Sequence, residues 1–230
     1  KILRILDEIL HPVAEVVNEN VEEQKRLLKE LNLCIPVVHC DKMIGEYISI
    51  GGEEKTAEAY RLFEINCDYA KDIGAEKLVL HLWGGMASDG HIQNSIDAYP
   101  RLKEISERYG LDLLVENVVC NTENPMKHLC ELREAYPEIH FVFDTKMAAF
   151  HEELELLYEK EYDWLWKEGH IRHYHVNDYA GGYMDWANLS ALPVGMGKLD
   201  FEQFFAFVKS TGYGGDITTE GVAFDEEGNV

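Results

Sequence analysis

Apolar residues along this chain follow two alternating rhythms. Over residues 14–31 they recur at helical spacing, as Val17, Val21, Leu27, Leu28 and Leu31, which predicts a helix with one apolar stripe. Ile35-Pro36-Val37-Val38-His39-Cys40 is instead a compact, largely apolar run, the pattern of a buried strand. The alternation then repeats. Helices are predicted over 55–73, 92–109, 125–135, 151–167 and 200–210, with Gly74, Gly110 and Gly212 placed to end three of them. Strands are predicted over 78–82, 111–117, 141–144, 171–177 and 216–220. Two further strands fit residues 3–10 and 191–194. Near-continuous apolar strands separated by helices mean a parallel sheet, and eight of them make an α/β fold of the (β/α)8 TIM-barrel type. Only residues 221–230 follow the last strand, so this barrel is expected to lack its last helix. A doubly wound open sheet is disfavoured, because no G-x-G-x-x-G follows the first strand and Gly195-Met196-Gly197 lacks the third glycine. No linker or repeat divides the chain, and residues 1–230 are expected to form one domain.

Four strands end in a residue that can bind a metal. They are Leu113-Leu114-Val115-Glu116, Phe141-Val142-Phe143-Asp144, His173-Tyr174-His175-Val176-Asn177-Asp178 and Ile217-Thr218-Thr219-Glu220. Each residue has an ordinary explanation: a paired carboxylate, a helix N-cap at Asp144, a hydrogen-bonded core histidine. In a parallel barrel, however, the C-terminal strand ends converge on the face where active sites form. Two glutamates, one aspartate and one histidine at that height suit one divalent metal ion, Mn²⁺, Mg²⁺, Co²⁺ or Zn²⁺, and not a thiolate site.

Charge and cysteine usage narrow the partners. The chain carries 43 acidic and 21 basic residues, a net charge of −22, with no cluster of Lys and Arg. Nucleic-acid binding needs phosphate neutralisation, and anionic membranes repel such a surface, so neither partner is expected. No apolar run reaches the ~18 residues of a membrane-spanning helix, and Lys1-Ile2-Leu3-Arg4-Ile5-Leu6-Asp7 does not read as a signal peptide. The five cysteines, without a Cys-x-x-Cys pair, read as reduced, mostly core thiols of a cytoplasmic protein. An open barrel flank would leave apolar surface for a second subunit, hence a possible homo-oligomer.

The ordered motifs Glu116-Asn117, Asp144-Thr145, His175-Val176-Asn177-Asp178, Gly195-Met196-Gly197-Lys198-Leu199-Asp200-Phe201 and Glu220 resemble those of the xylose isomerase-like TIM barrels. That superfamily includes sugar isomerases, ketose 3-epimerases, inosose dehydratases and apurinic endonucleases. The resemblance runs over residues 39–220. It implies that Glu116, Asp144, His175 and Glu220 share one metal, and that His81, and less strongly His39, face the same cavity. Two departures point away from the endonucleases. Met147 stands where Asp-Thr-x-His would supply a zinc ligand, and Gly181-Gly182-Tyr183-Met184-Asp185-Trp186-Ala187 holds no histidine for the Asp-x-His pair. Met147 also departs from the epimerase pattern, leaving Lys146 to supply a polar contact.

The resulting expectation is a metal-dependent isomerase or epimerase of a small ketose or related polyol carbonyl. It would work by proton transfer through an enediolate, with the ion as Lewis acid and Glu116 and Glu220 as general base and acid. His81, His39, Trp83, Asn117, Lys146 and Asp178 are the expected substrate contacts, with Trp186 and Phe150 as further apolar lining. The alternatives are an inosose-dehydratase-like lyase, an apurinic-endonuclease-like DNA repair enzyme and a non-catalytic sugar-binding barrel.

Overall fold

A computed structural model of the chain describes residues 17–221, with side chains from residue 21 onward. These residues divide into two units. The N-terminal unit runs to Glu116 and includes residues 120–123; the C-terminal unit holds residues 117–119 and continues from Asn124.

In the N-terminal unit the predicted alternation is realised as α1 (Val17–Glu30), β1 (Val37–His39), α2 (Met43–Ile50), α3 (Glu53–Ile73), β2 (Lys77–Leu80), α4 (Ile92–Tyr109) and β3 (Asp112–Glu116). The strands are parallel, with β2 between β1 and β3; His39 is level with Val79, and Leu80 with Val115. Val38, Leu78, Val79, Leu80, Leu114 and Val115 are wholly buried, which explains their apolar character on both faces. Helix α3 covers them with Leu62, Phe63, Cys67 and Ala70. Cys40, Cys67 and Cys120 are core residues, whereas Cys34 and Cys130 are exposed.

Helix α2 escapes the sequence pattern. Met-Ile-Gly-Glu-Tyr-Ile-Ser-Ile carries β-branched residues and a glycine and no side-chain N-cap, so its local preference for helix is weak. Tertiary packing decides instead. Gly45 lies so close to the chain after β2 that a Cβ there would collide with the His81 carbonyl oxygen and stand 3.1 Å from that of Trp83.

The C-terminal unit contains α5 (Pro125–Ala135), β4 (His140–Asp144), α6 (Thr145–Phe150), α7 (Trp164–Lys167), β5 (Ile171–His175), α8 (Phe201–Ser210) and β6 (Ile217–Thr218). Its strands are also parallel, with β5 between β4 and β6; Asp144 is level with His175, and His175 with Thr218. Phe141, Phe143, Leu165 and Tyr174 fill the interior, and the Tyr174 ring meets Phe204 of α8 edge-on at 5.6 Å.

Two expectations need correction here. Residues 151–167 are not one helix: α6 starts earlier, Glu152 turns the chain at φ 56°, and two 3-10 segments over 154–158 and 160–162 precede α7. Buried Leu154 and Leu157 match the three-residue period of a 3-10 turn. Residues 191–194 form no strand; Leu192 makes a single antiparallel bridge with Asp178. The strand expected over 3–10, and the region after residue 221, lie outside the described residues. No described helix is long and apolar enough to cross a membrane.

The amino end of α5 is closed from a distance. Pro125 stands at its start, and the Glu153 carboxylate accepts the Met126 N–H at 3.0 Å. Burial pushes the Glu153 carboxyl up to about 7, against the opposing pull of that N–H and of His128.

Two outcomes follow. Gly45→Ala should destabilise the protein by about 1–3 kcal/mol through overpacking, read from urea unfolding. Glu153 binds its proton more tightly folded than unfolded. Its contribution is therefore fully present below pH 4.5 and lost as pH rises towards 7. Glu153→Gln should flatten that part of the profile, so its urea midpoint relative to the parent should improve between pH 4.5 and 7.5.

Candidate metal centre

The N-terminal unit gathers His39, His81 and Glu116 from the ends of its three strands. Glu116 is buried, and one of its oxygens lies 2.8 Å from His81 Nε2 and 3.3 Å from His39 Nε2. His39 Nδ1 lies 2.8 Å from the Cys40 carbonyl. That acceptor places a proton on Nδ1. Burial is the largest influence on His81 and lowers its pKa to about 4, against the raising effect of Glu116. A neutral His81 then donates its Nε2–H to Glu116, or turns its lone pair to a metal when that proton moves to Nδ1. The ligand atoms of these three side chains lie within 4.8 Å of one another, a spacing that could hold an ion.

The C-terminal unit gathers Asp144, His175 and Glu220. The parallel register puts Asp144 beside His175. Asp144 lies at the β4–α6 junction with no side-chain exposure, and its Oδ1 accepts the Met147 N–H at 2.8 Å, capping α6. Its N-cap role and its ligand role are therefore compatible, because Oδ2 points elsewhere. That oxygen accepts a hydrogen bond of 2.9 Å from Asn177 Nδ2. The same amide nitrogen donates to Glu220 Oε2 at 2.9 Å. Asn177 Oδ1 in turn accepts the N–H groups of Glu220 and Gly221 at 2.9 and 3.0 Å. One carboxamide thus uses two donors and two acceptors, and the two backbone donors settle which end is oxygen. The second Glu220 oxygen lies 3.6 Å from His175 Nδ1, and the buried Lys146 ammonium lies 4.0 Å from Oε2.

The backbone beneath this group is also tied. Thr145 Oγ1 donates to the Asn177 carbonyl at 2.7 Å and accepts the Asn177 N–H at 3.0 Å. Asn117 performs the same service for Asp144, accepting its N–H at 2.6 Å and donating to its carbonyl at 3.1 Å.

Of the expected residues, His39, His81 and Glu116 therefore meet in one unit, and Asp144, His175, Glu220, Lys146 and Asn117 in the other. Trp83 is wholly buried. Asp178 stands apart from the carboxylate group: its oxygens accept the N–H groups of Tyr179, Gly195, Gly197 and Leu199 at 2.8–3.1 Å. Burial raises its pKa, but these four donors outweigh it and hold the carboxyl below the usual range. Trp186 is half exposed, and its ring meets buried Phe150 at 4.9 Å. Asn177 is the residue whose role the sequence conceals. Its position two residues beyond His175 puts it on the same strand face, and that was the available signal.

Asn177→Asp would set a third carboxylate against two others and remove their shared donor. In metal-free protein at pH 7 it should cost about 2 kcal/mol or more, with much of the loss recovered near pH 4. Thermal melts at both pH values check this.

Comparison with known proteins bears on the whole chain. A family profile described as xylose isomerase-like TIM barrel matches residues 8–228. No curated protein matches in sequence. Among solved structures, apo 3-keto-D-glucoside 4-epimerase YcjR from E. coli superposes with a TM-score of 0.65 at 16% identity, covering 94% of this chain and 82% of that one. A D-tagatose 3-epimerase-like protein gives 0.67 at 19%, with 89% and 78% covered. The IolI protein with a binding zinc atom gives 0.62 at 14%, with 88% and 72% covered. At these identities the likeness is one of fold, and it bears out the α/β barrel expected from the strand–helix alternation.

Proposed function

The chain belongs to the xylose isomerase-like TIM barrel family, and on that premise we propose that it is a divalent-metal-dependent isomerase or epimerase of a small ketose or related polyol carbonyl. The observation that carries this reading is the grouping of Asp144, His175 and Glu220 about the Asn177 carboxamide. Hard carboxylate oxygens with one imidazole are a donor set for Mn²⁺, Mg²⁺, Co²⁺ or Zn²⁺. Glu116 completes the proposed ligand set in this reading. The zinc atom of the IolI protein and the substrate classes named for the two epimerase-type structures support it by analogy.

A divalent ion held by these residues supplies Lewis acidity, which acidifies the C–H next to a carbonyl. The chain's own residues do the rest. Glu116 and Glu220 remove and return the carbon-bound proton, taking the substrate through an enediolate. Ligation lowers the basicity of a carboxylate, so the acidified substrate must compensate. Asn177 fixes one Glu220 oxygen and its backbone N–H, which limits the search of the proton-transferring group. Lys146, His39 and His81 offer polar contacts to substrate hydroxyls, whereas wholly buried Trp83 is core packing and not a substrate contact. Asn117 acts through the Asp144 backbone. A strongly acidic chain without the two histidine-bearing motifs disfavours abasic DNA as substrate.

The test has two arms. Glu116→Ala and Glu220→Ala should each lower bound metal by at least about tenfold in affinity; full retention in both variants would sink the shared site. A stoichiometry of two ions in the parent would reassign His39 and His81 from substrate to a second ion. The second arm incubates ketoses and inositol-derived ketones in deuterated water with each metal. Solvent deuterium should enter at the carbon next to the carbonyl. Turnover without incorporation would point to hydride shift, and net loss of water would select the lyase.

A further inference from the structure

The carboxylate of Asp178 lies three residues beyond His175 and touches none of the proposed metal ligands among its hydrogen bonds. Its Oδ1 accepts the N–H groups of Tyr179 and Leu199 at 2.8 and 3.1 Å. Its Oδ2 accepts those of Gly195 and Gly197 at 2.9 and 2.8 Å. The Asp178 backbone adds a two-way bridge to Leu192, donating at 2.8 Å and accepting at 3.4 Å, and Lys198 N–H reaches the Tyr179 carbonyl at 2.9 Å. Residue 178 thus holds both ends of a returning segment, residues 192–199, that has no helix or strand of its own.

That segment has a second neighbour. Gly221 is packed against it so closely that a Cβ would collide with the Leu192 carbonyl carbon and oxygen and stand 2.7 Å from Pro193 N. Gly221 follows Glu220 directly, and both residues give their N–H groups to Asn177 Oδ1. The chain around Glu220 is therefore gripped on two sides: by Asn177 from the strand end, and by the Leu192–Pro193 backbone against Gly221. Only the second grip depends on a loop, and that loop depends on Asp178.

We propose that Asp178 is a positioning residue for Glu220, acting through the segment of residues 192–199 on which Gly221 is seated. The assignment explains a costly feature. A carboxylate buried to 1% exposure is retained because four backbone donors converge on it, and no neutral side chain can accept four N–H groups with both of its polar atoms. In Asn the amide nitrogen would face two donors. The consequence for catalysis rests on the proposed role of Glu220, but the coupling itself does not.

Hydrogen exchange of metal-free protein, resolved at single amides, separates the two. In Asp178→Asn the N–H groups of Gly195, Gly197 and Leu199 should exchange faster, and those of Glu220 and Gly221 should follow by about tenfold or more. Isothermal titration with Mn²⁺ or Zn²⁺ should then show affinity falling about 10- to 100-fold. Fast exchange at 195–199 with parental protection at Glu220 and Gly221 would overturn the proposal. Gly221→Ala attacks the same seat while leaving the four Asp178 bonds in place, and it decides the matter if Asp178→Asn does not fold. Protection of Glu220 should fall there too, and unchanged protection would overturn the proposal. A parent that binds no metal would refute the proposed metal centre and leave the exchange result standing.

Discussion

Two carboxylates on strands that flank a third can share one small volume only if something neutral stands between them. In the C-terminal unit that group is the Asn177 carboxamide, which gives one N–H to Asp144 and one to Glu220 and takes two backbone N–H groups on its oxygen. Aspartate would add repulsion, and glutamine would place the amide one carbon too far. The carboxamide can do this because its own backbone is clamped by the Thr145 hydroxyl from both sides. Beyond β6, where the ladder between strands ends, the side chain continues the pairing that the backbone no longer provides: Val176 N–H still bonds the Thr218 carbonyl, and Asn177 takes over at Glu220. Strand register and ligand geometry are thus one constraint.

The two units support their carboxylates by different means. Glu116 is flanked by imidazoles, one kept neutral by burial and one whose Nδ1 is held by the Cys40 carbonyl. A neutral ring such as that of His81 can donate a hydrogen bond to a carboxylate or turn a lone pair towards a cation, so this end adapts to what is bound. Asp144 and Glu220 are held by the Asn177 carboxamide and backbone N–H groups, with the His175 imidazole and the Lys146 ammonium beside Glu220. That end is fixed in orientation, which would serve the proton transfer proposed for Glu220.

Strands β1 to β4, and the polar residues at their ends, were legible because parallel strands are buried on both faces and so read as apolar runs closed by a polar residue. Helices α3, α4 and α5 were legible for local reasons: a glycine at Gly74 and Gly110, a proline at Pro125. What failed to show were features decided at long range. Helix α2 forms against the backbone after β2 because Gly45 has no side chain, and nothing in its own eight residues announces that. The break within residues 151–167 follows from the early cap at Asp144 and the turn at Glu152. Asn177 shares a strand face with His175, yet its partners are 33 and 43 residues away. Asp178 looked like a substrate group because its donors lie on a loop 17–21 residues further on.

The position where the family resemblance expected a histidine bears on the charge of the proposed substrate. Met147 contributes its backbone N–H to Asp144, and the preceding side chain, Lys146, is buried within 4.0 Å of Glu220. An imidazole that would bind another cation has given way to a fixed positive charge beside a carboxylate. Asp144 and Glu220 bring two negative charges and Lys146 returns one. In the proposed centre Glu116 adds a third, and a single divalent ion brings the group close to neutrality. Such a site gains nothing from a substrate that arrives as a polyanion, since the repulsion of the wider acidic surface is not offset. The proposed reaction would suit a neutral polyol carbonyl that becomes anionic only as its proton leaves, because the ammonium and a bound ion would then face charge that develops during the reaction rather than before it.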